Sequence, residues 1–221
     1  MTAHRALLEA AVSSIAAGKP FSEVVGDVLR LAAEEAPSDA WDALAALDTA
    51  ADVATATPWL QRQFDNRPMA AEVNGIWFGI FIVRGAGPGR NEAFIGLSGD
   101  VGYPDTTWPS EAKPAWETAG FPPAPGLRSL LPSTAGESDE VRALVAGPVV
   151  FAWALGLVAA MADGVDAAAA LGDRPVLGVV AGVPGGATAV LGELTAAGFD
   201  RSAARLELEP EPEAEPEEPG D

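Results

Sequence analysis

The sequence predicts an α+β fold: N-terminal helical hairpins packed on a small, mainly antiparallel sheet with a buried apolar helix, followed by a disordered acidic C-terminal tail. Three observations lead to this prediction. The N-terminal residues repeat apolar side chains at helical spacing, residues 75–99 contain two adjacent β-rich runs, and residues 143–162 carry no charge. The expected parts are helical (1–68), α+β (69–206) and tail (207–221).

Four helices are expected in the N-terminal part. In the first, Leu8, Val12 and Ile15 share one face, which is the pattern of an amphipathic helix. Ser22 is expected to cap the second helix, and Pro58 stands at the first position of the fourth, where proline is tolerated. The predicted helices span residues 4–18, 22–36, 38–51 and 58–64.

Two neighbouring antiparallel strands follow the helices. Residues 75–84 and 92–99 are rich in aromatic and β-branched residues, and the glycine-rich segment 85–90 separates them. Two such runs with a short glycine-rich connection are typical of a β-hairpin. We therefore expect this pair to be the centre of the fold, on which the other elements pack.

The C-terminal half alternates irregular and apolar segments. Residues 100–132, which are rich in proline, glycine and tryptophan, are expected to form a long surface loop. A helix is expected from Glu137 through residues 143–162. This run is long enough to cross a bilayer, but its alanine-rich composition and the absence of basic flanks favour a buried core helix. The remaining predicted elements are a buried strand at 175–183, a glycine turn at 184–186, a helix to Ala197 and a strand at 204–208.

The composition excludes several kinds of chemistry. The chain has no cysteine, which removes disulfides, thiolate nucleophiles and sulfur-based metal sites. Its one histidine, His4, lies close to a terminus that is expected to be frayed, so we expect it to be a bystander. A histidine-based catalytic relay or metal site is therefore disfavoured, and no metal or cofactor is expected.

The charge is strongly negative. The chain carries 32 acidic and 13 basic residues, for a net charge of −19. Nucleic-acid binding needs a concentrated basic face and is disfavoured, whereas acidity suits solubility or a basic protein partner. Eight of the acids lie in residues 207–221, which have too little apolar area to offset the entropy of ordering and are expected to be disordered.

Two glycine-rich segments resemble phosphate-binding loops only in part. Residues 85–90 lack the lysine of a P-loop and lead into a strand, so a hairpin connection is the better interpretation, although Arg84 and Arg90 beside it are able to hold a small anion. Residues 183–188 lack both a dinucleotide fingerprint and a lysine. A tight turn with Thr188 as a helix cap is expected there.

The segment that follows the second strand has the best candidates for partner contact. Asp100, Tyr103, Asp105 and Trp108 stand close together in the predicted loop, and Trp116 follows them. Aromatic side chains in a loop commonly anchor interfaces, and the two carboxylates supply charge complementarity. The alternative is that the tryptophans cover the core beneath the loop.

The sequence leads to one functional hypothesis and two alternatives. We expect a bacterial cytoplasmic, non-enzymatic protein that binds another protein as a regulatory, adaptor or toxin-neutralising module, with no nucleic-acid partner. The first alternative is an enzyme or small-anion binder that brings Arg84, Arg90, Asp100 and Asp105 together at the strand ends. The second is membrane association through residues 143–162. The oligomeric state and the partner are left open.

Overall fold

The structure, a computed structural model, describes residues 3–84, 91–104, 116–117, 120–184 and 186–207. Its helices are α1 (Ala3–Ala16), α2 (Phe21–Glu35), α3 (Ala40–Ala45), α4 (Thr49–Asn66), α5 (Pro125–Ser133), α6 (Asp139–Leu144), α7 (Val150–Gly164) and α8 (Ala167–Leu171). A π-helical turn, Val145–Val149, joins α6 to α7. The strands are β1 (Gly75–Val83), β2 (Glu92–Asp100), β3 (Trp116–Glu117), β4 (Val176–Gly182), β5 (Thr188–Thr195), β6 (Gly198–Asp200) and β7 (Arg205–Glu207).

The strands form one mixed sheet in the order β3-β2-β1-β4-β5-β6, with β7 also paired to β5. β1 and β2 are antiparallel over their whole length, from Gly75 opposite Asp100 to Val83 opposite Glu92, which confirms the predicted strand pair. β4 is parallel to β1, and the other pairs are antiparallel. The carboxyl ends of β1 and β4 therefore lie at one edge of the sheet, here called the upper edge, and both strands begin at the lower edge.

Helices cover one face of the sheet, and α7 is the central one. Alternate strand residues such as Phe78 and Val179 point into the helical layer and are completely buried. Trp153 of α7 has no exposed surface, and its ring packs edge-on against Phe21 with 5.4 Å between centroids. A helix that is apolar on every side needs such surroundings, so α7 folds between the other helices and the sheet.

The apolar helix is buried within the protein. In the described part of the chain, Asp139–Gly164 is the one helical run with the length and composition to cross a membrane, with a mean hydropathy of 2.1. Within its most apolar window, 83% is buried inside the protein. This burial favours the core-helix interpretation of residues 143–162.

The first two predicted helices are confirmed as α1 and α2, but the expected cap of the second is wrong. α2 begins at Phe21 after Pro20, so Ser22 already lies inside the helix and makes no cap. Phe21 is buried against Gly156 of α7, where an added Cβ would lie 2.5 Å from the ring. This packing explains why the helix begins at the aromatic residue.

The third and fourth helices have different boundaries from those predicted. α3 ends at Ala45, and α4 begins at Thr49, where the Asp48 carboxylate accepts a hydrogen bond from the Ala51 amide. α4 then continues through Pro58, although proline inside a helix removes one backbone hydrogen bond. Burial of residues on either side of this proline, Ala56, Trp59 and Leu60, favours one continuous helix.

Part of the predicted loop 100–132 is helical. α5 begins with Pro125 in its first turn and buries Leu127 and Leu130 completely. The buried Asp52 carboxylate of α4 accepts hydrogen bonds from the amides of Gly126 (2.7 Å) and Leu127 (3.1 Å). A carboxylate at a helix N-terminus satisfies free amides and is stabilised by the helix dipole, so α5 takes its cap from a distant part of the chain.

The helix predicted after the glycine turn is wrong, because residues 188–195 form β5. This strand pairs with β4 from Thr188 opposite Gly182 to Thr195 opposite Val176, so Thr188 is not a helix cap. Its alanine, leucine and glutamate residues favour a helix intrinsically, but pairing with β4 on one side and with β6 and β7 on the other overrides this preference. The strands predicted at 175–183 and 204–208 are confirmed as β4 and β7.

Candidate functional site

β1 extends beyond its parallel neighbour at the upper edge. The pairing of β1 with β4 ends at Gly79 opposite Gly182, whereas β1 continues along β2 to Val83. Among the described residues, positions 80–83 therefore have a strand partner on the β2 side only. A notch is left in the sheet between the end of β1 and the turn that joins β4 to β5.

Backbone groups of β1 point into this notch. The Gly178 amide donates a 2.9 Å hydrogen bond to the Asn74 carbonyl, so every second residue after Asn74 directs its backbone groups towards β4. Ile80 and Ile82 belong to this series. If the same register continued, the residue opposite the Ile80 carbonyl would be Pro184, which has no N–H to donate. β4 thus provides no amide there.

The notch opens into an apolar pocket of about 370 Å³ between the sheet and the helices. Ile80, Val150 and Phe151 line its interior and are buried. Ile82 and Val183 line its rim, with 43% and 39% of their surfaces exposed. A mainly apolar pocket of a few hundred cubic ångströms is typical of a binding site.

One wall of the pocket is the π-helical turn. This turn contains Gly147 and Pro148, and both line the pocket. Proline inside a helix removes a backbone donor, and a π-helical turn is one way in which a helix accommodates such an interruption. Turns of this kind occur frequently at functional sites, which supports this pocket as the candidate site.

Exposed apolar side chains are concentrated at the upper edge. Six large apolar side chains are exposed among the described residues, and four of them lie here: Phe81, Ile82, Val83 and Val183. We call these four residues the upper apolar cluster. Of the other two, Val101 follows β2 at the lower edge. Ile82 and Val183 lie on the rim of the pocket, whereas Phe81 and Val83 alternate with Ile80 and Ile82 and so face the other side of the sheet. Exposed apolar side chains on the rim of a pocket are typical of an interaction site.

His4 is not the isolated terminal residue expected from the sequence. α1 begins at Ala3, and His4 in its first turn lines the pocket together with Leu8. A Cβ built on Gly147 would lie 3.7 Å from the His4 ring, which places the ring beside the π-helical turn. The imidazole is the only titratable side chain of the pocket lining. In the described part of the chain, no group of three His, Asp or Glu residues is arranged to hold a metal ion.

A second cavity of about 490 Å³ lies between α1, α2, α4 and α7. Its rim has two cations, but Lys19 is paired with Asp27 at 2.7 Å and Arg201 with Asp163 at 3.3 Å. The Lys19 hydrogen bond holds the pKa of Asp27 below its usual range. Because these charges already neutralise each other, this cavity is a weaker candidate than the pocket at the upper edge.

Arg84 and Asp100, two of the predicted anion-binding and acidic residues, are far apart. Arg84 follows Val83 at the upper edge, whereas Asp100 pairs with Gly75 at the lower edge, so the length of the hairpin, about 30 Å, separates them. The Asp100 side chain accepts a hydrogen bond from the neighbouring Val101 amide (2.6 Å). A single pocket that contains both Arg84 and Asp100 is therefore wrong.

Tyr103 packs flat on the face of the sheet opposite the helices. Its backbone amide donates to Asn74 Oδ1 (3.1 Å), its carbonyl accepts from Asn74 Nδ2 (2.6 Å), and its hydroxyl donates to Glu193 (2.7 Å). Burial raises the pKa of this hydroxyl, and the hydrogen bond to Glu193 raises it further. Gly178 gives the ring its space, because an added Cβ would overlap it.

Trp116 lies on the other face of the sheet, in β3. Its indole N–H donates to the Arg67 carbonyl (2.8 Å), and its ring stacks on Phe64 with 6.0 Å between centroids. Only 7% of Trp116 and 8% of Tyr103 is exposed, so both side chains have structural contacts. Their role in partner binding stays a prediction. The other predicted site residues, Asp105, Trp108 and Arg90, lie outside the described residues.

No protein-family model, curated protein or solved structure matches this chain. The site therefore rests on its own geometry.

Proposed function

We propose that this protein is a non-enzymatic protein-binding module, and that the partner binds at the pocket and the upper apolar cluster. The observation that carries the proposal is the position of two exposed large apolar side chains, Ile82 and Val183, on the rim of one apolar pocket. A regulatory, adaptor or toxin-neutralising protein needs such a surface, because burial of apolar area supplies most of the binding free energy.

The backbone at the notch supports a polypeptide partner. The carbonyl of Ile80 and the backbone groups of Ile82 point to the side where β4 has already ended. An extended peptide satisfies groups of this kind by pairing with a strand along its unpaired side, and it places alternate side chains in adjacent pockets. A partner segment with one large apolar side chain above the buried floor of Ile80 and Phe151 meets both requirements.

The enzymatic alternative has less support. It requires arginine and carboxylate groups that converge on a pocket, whereas Arg84 and Asp100 lie at opposite edges of the sheet. The pocket at the upper edge has one titratable side chain, that of His4, in its lining. Binding through apolar contact is therefore the function that this geometry supports best.

Two matched substitutions test the proposal. Ile82→Glu places a charge on the rim of the pocket, and Val101→Glu places the same charge on an exposed valine at the lower edge. A photocrosslinking amino acid at position 82 first identifies the partner in native lysate. The purified partner is then titrated against both variants and the unchanged chain.

The expected result is a loss of affinity of about tenfold or more for Ile82→Glu, since a carboxylate cannot be buried unpaired in an apolar contact. Val101→Glu should bind like the unchanged chain. Gly147→Leu, which fills the pocket from the π-helical turn, should act like Ile82→Glu. Equal affinity of all variants, or a loss that is confined to Val101→Glu, contradicts the proposal.

A further inference from the structure

We infer that the second cavity, between α1, α2, α4 and α7, binds a small amphipathic carboxylate, a molecule with one carboxylate group and an apolar body. The carboxylate replaces Asp163 beside the Arg201 guanidinium, and the apolar body fills the cavity. The two cavities share no lining residue, so a ligand in this one binds independently of the partner proposed at the upper edge.

The interior of the second cavity is apolar. Its lining includes five buried residues: Ile15, Phe21, Val24, Gly156 and Ala159. The volume of about 490 Å³ is within the range of small-molecule sites. Transfer of an apolar ligand from water to such surroundings is favourable, so the interior selects the body of the ligand.

Two cations belong to the lining, and they differ in their hydrogen bonds. Lys19 donates to Asp27 (2.7 Å), which also accepts from Ser14 (2.6 Å). Arg201 Nη2 lies 3.3 Å from Asp163 Oδ2, which is longer than a typical charge-assisted hydrogen bond. Arg201 Nε is buried and has no hydrogen-bond partner among the described residues. A buried donor without an acceptor is unfavourable, so Arg201 is the group that gains most from a ligand.

The Arg201 guanidinium has the geometry for a carboxylate. Nε and Nη2 of an arginine point to the same side and together match one carboxylate group. Arg128 shows this arrangement elsewhere in the protein, because Glu92 Oε2 lies 2.8 Å from its Nε and 2.6 Å from its Nη2. Asp163 lies near Nη2 of Arg201 and leaves Nε without an acceptor. The Asp163 side chain is 59% exposed, so water replaces its contact at little cost when a ligand carboxylate binds both donors.

The position of Arg201 is fixed before a ligand binds. The residue stands in the turn between β6 and β7, where its carbonyl accepts the Ala204 amide (3.0 Å) and the Asp200 carboxylate accepts the Ser202 amide (2.8 Å). The guanidinium carbon lies 5.6 Å from the centre of the Phe199 ring. A side chain that is held in place loses less conformational entropy on binding.

Calorimetric titration of the full chain with straight-chain carboxylates tests the inference. Hexanoate, octanoate and decanoate, each kept below the concentration at which it forms micelles, differ only in apolar length. We expect the affinity to rise about fourfold for each added methylene until the cavity is filled. 1-Octanol, the neutral counterpart of octanoate, should bind about tenfold more weakly, because it lacks the charge that Arg201 recognises.

Two substitutions at the head of the site should change the affinity in opposite directions. Arg201→Lys keeps the charge but removes the paired donors, so octanoate should bind about tenfold more weakly. Asp163→Asn removes the competing carboxylate, so octanoate should bind about two- to fivefold more tightly. If the two residues form only a structural ion pair, neither substitution changes the affinity, and that result overturns the inference.

A matched pair of substitutions tests the cavity itself. Ala54 is exposed and belongs to the lining, so Ala54→Leu narrows the mouth of the cavity. Ala43→Leu makes the same change at an exposed alanine of α3 that is not part of the lining. The first variant should bind octanoate about tenfold more weakly, and the second should bind it like the unchanged chain.

Three further outcomes overturn the inference. Absence of octanoate binding does so directly. Equal affinity for 1-octanol shows that the site does not recognise a carboxylate. Weaker octanoate binding to the Ile82→Glu variant than to the unchanged chain assigns the ligand to the pocket at the upper edge.

Discussion

The Asp52 carboxylate accepts a 2.8 Å hydrogen bond from the indole N–H of Trp153, a residue 101 positions later in the chain. Asp52 is completely buried, and it also accepts the amides of Gly126 and Leu127 at the start of α5. One side chain of α4 thus joins the central helix α7 to α5. Because all three donors are buried, they depend on this carboxylate for a partner.

Replacement of Asp52 by alanine should lower the free energy of unfolding by about 3–5 kcal/mol, because several buried donors lose their acceptor at once. Chemical denaturation monitored by circular dichroism measures this change. Trp153→Phe is the matched control: it removes one donor but leaves the cap of α5 intact, so it should cost less. A loss below about 1 kcal/mol for Asp52→Ala would show that α5 is held by apolar packing alone.

Tyr103 should make the fold sensitive to alkaline pH. A free tyrosine has a pKa near 10, and in the folded protein burial and Glu193 raise the pKa of Tyr103. The stabilisation is therefore fully present below about pH 10 and is lost as the pH rises towards the folded-state pKa. Denaturant unfolding at increasing pH should show this loss in the free energy of unfolding. In Tyr103→Phe, the part of the pH dependence that comes from this hydroxyl should be absent.

Tyr103 is the only tyrosine of the chain, so tyrosinate absorbance reports on this hydroxyl alone. The absorbance of the folded protein should rise only well above pH 10. A midpoint at the value of free tyrosine would contradict the buried contact with Glu193.

Two glycines in different surroundings should respond in opposite directions to alanine. Gly178→Ala places a methyl group within the ring of Tyr103, and such overpacking should destabilise the fold by about 1–3 kcal/mol. Gly26→Ala, in the interior of α2, meets nothing within 4 Å and should stabilise it by about 0.5–1 kcal/mol, since alanine has the higher helix propensity. Thermal unfolding of both variants measures this contrast. Equal effects would show that Tyr103 does not occupy the sheet face.

The sequence was sufficient where local pattern and tertiary contacts agree. α1, α2, the β1-β2 pair and the buried run around Trp153 were predicted, because periodicity defines an apolar face and the fold buries that face. β5 and α5 were missed because distant partners decide their structure. β4 pairs along β5, and Asp52 caps α5 from a part of the chain more than seventy residues away.

The candidate site was largely beyond prediction for the same reason. The notch depends on the register of Gly79 with Gly182, and the pocket depends on the contact of α1 with the π-helical turn. The position of His4 near the terminus favours a frayed residue, but its spacing with Leu8 places both on one side of a helix. Gly147-Pro148 inside an apolar helix was the local signal that marked an irregular turn.

Hydrogen exchange of the chain with and without its crosslinked and purified partner tests the central claim most directly. We predict slower exchange at the amides of the upper edge in the complex, at residues 80–83, 146–151 and 186–187. These amides lie around the pocket and the upper apolar cluster. Protection that is confined to residues 98–104, around Asp100 and Tyr103 at the lower edge, would contradict the proposed site.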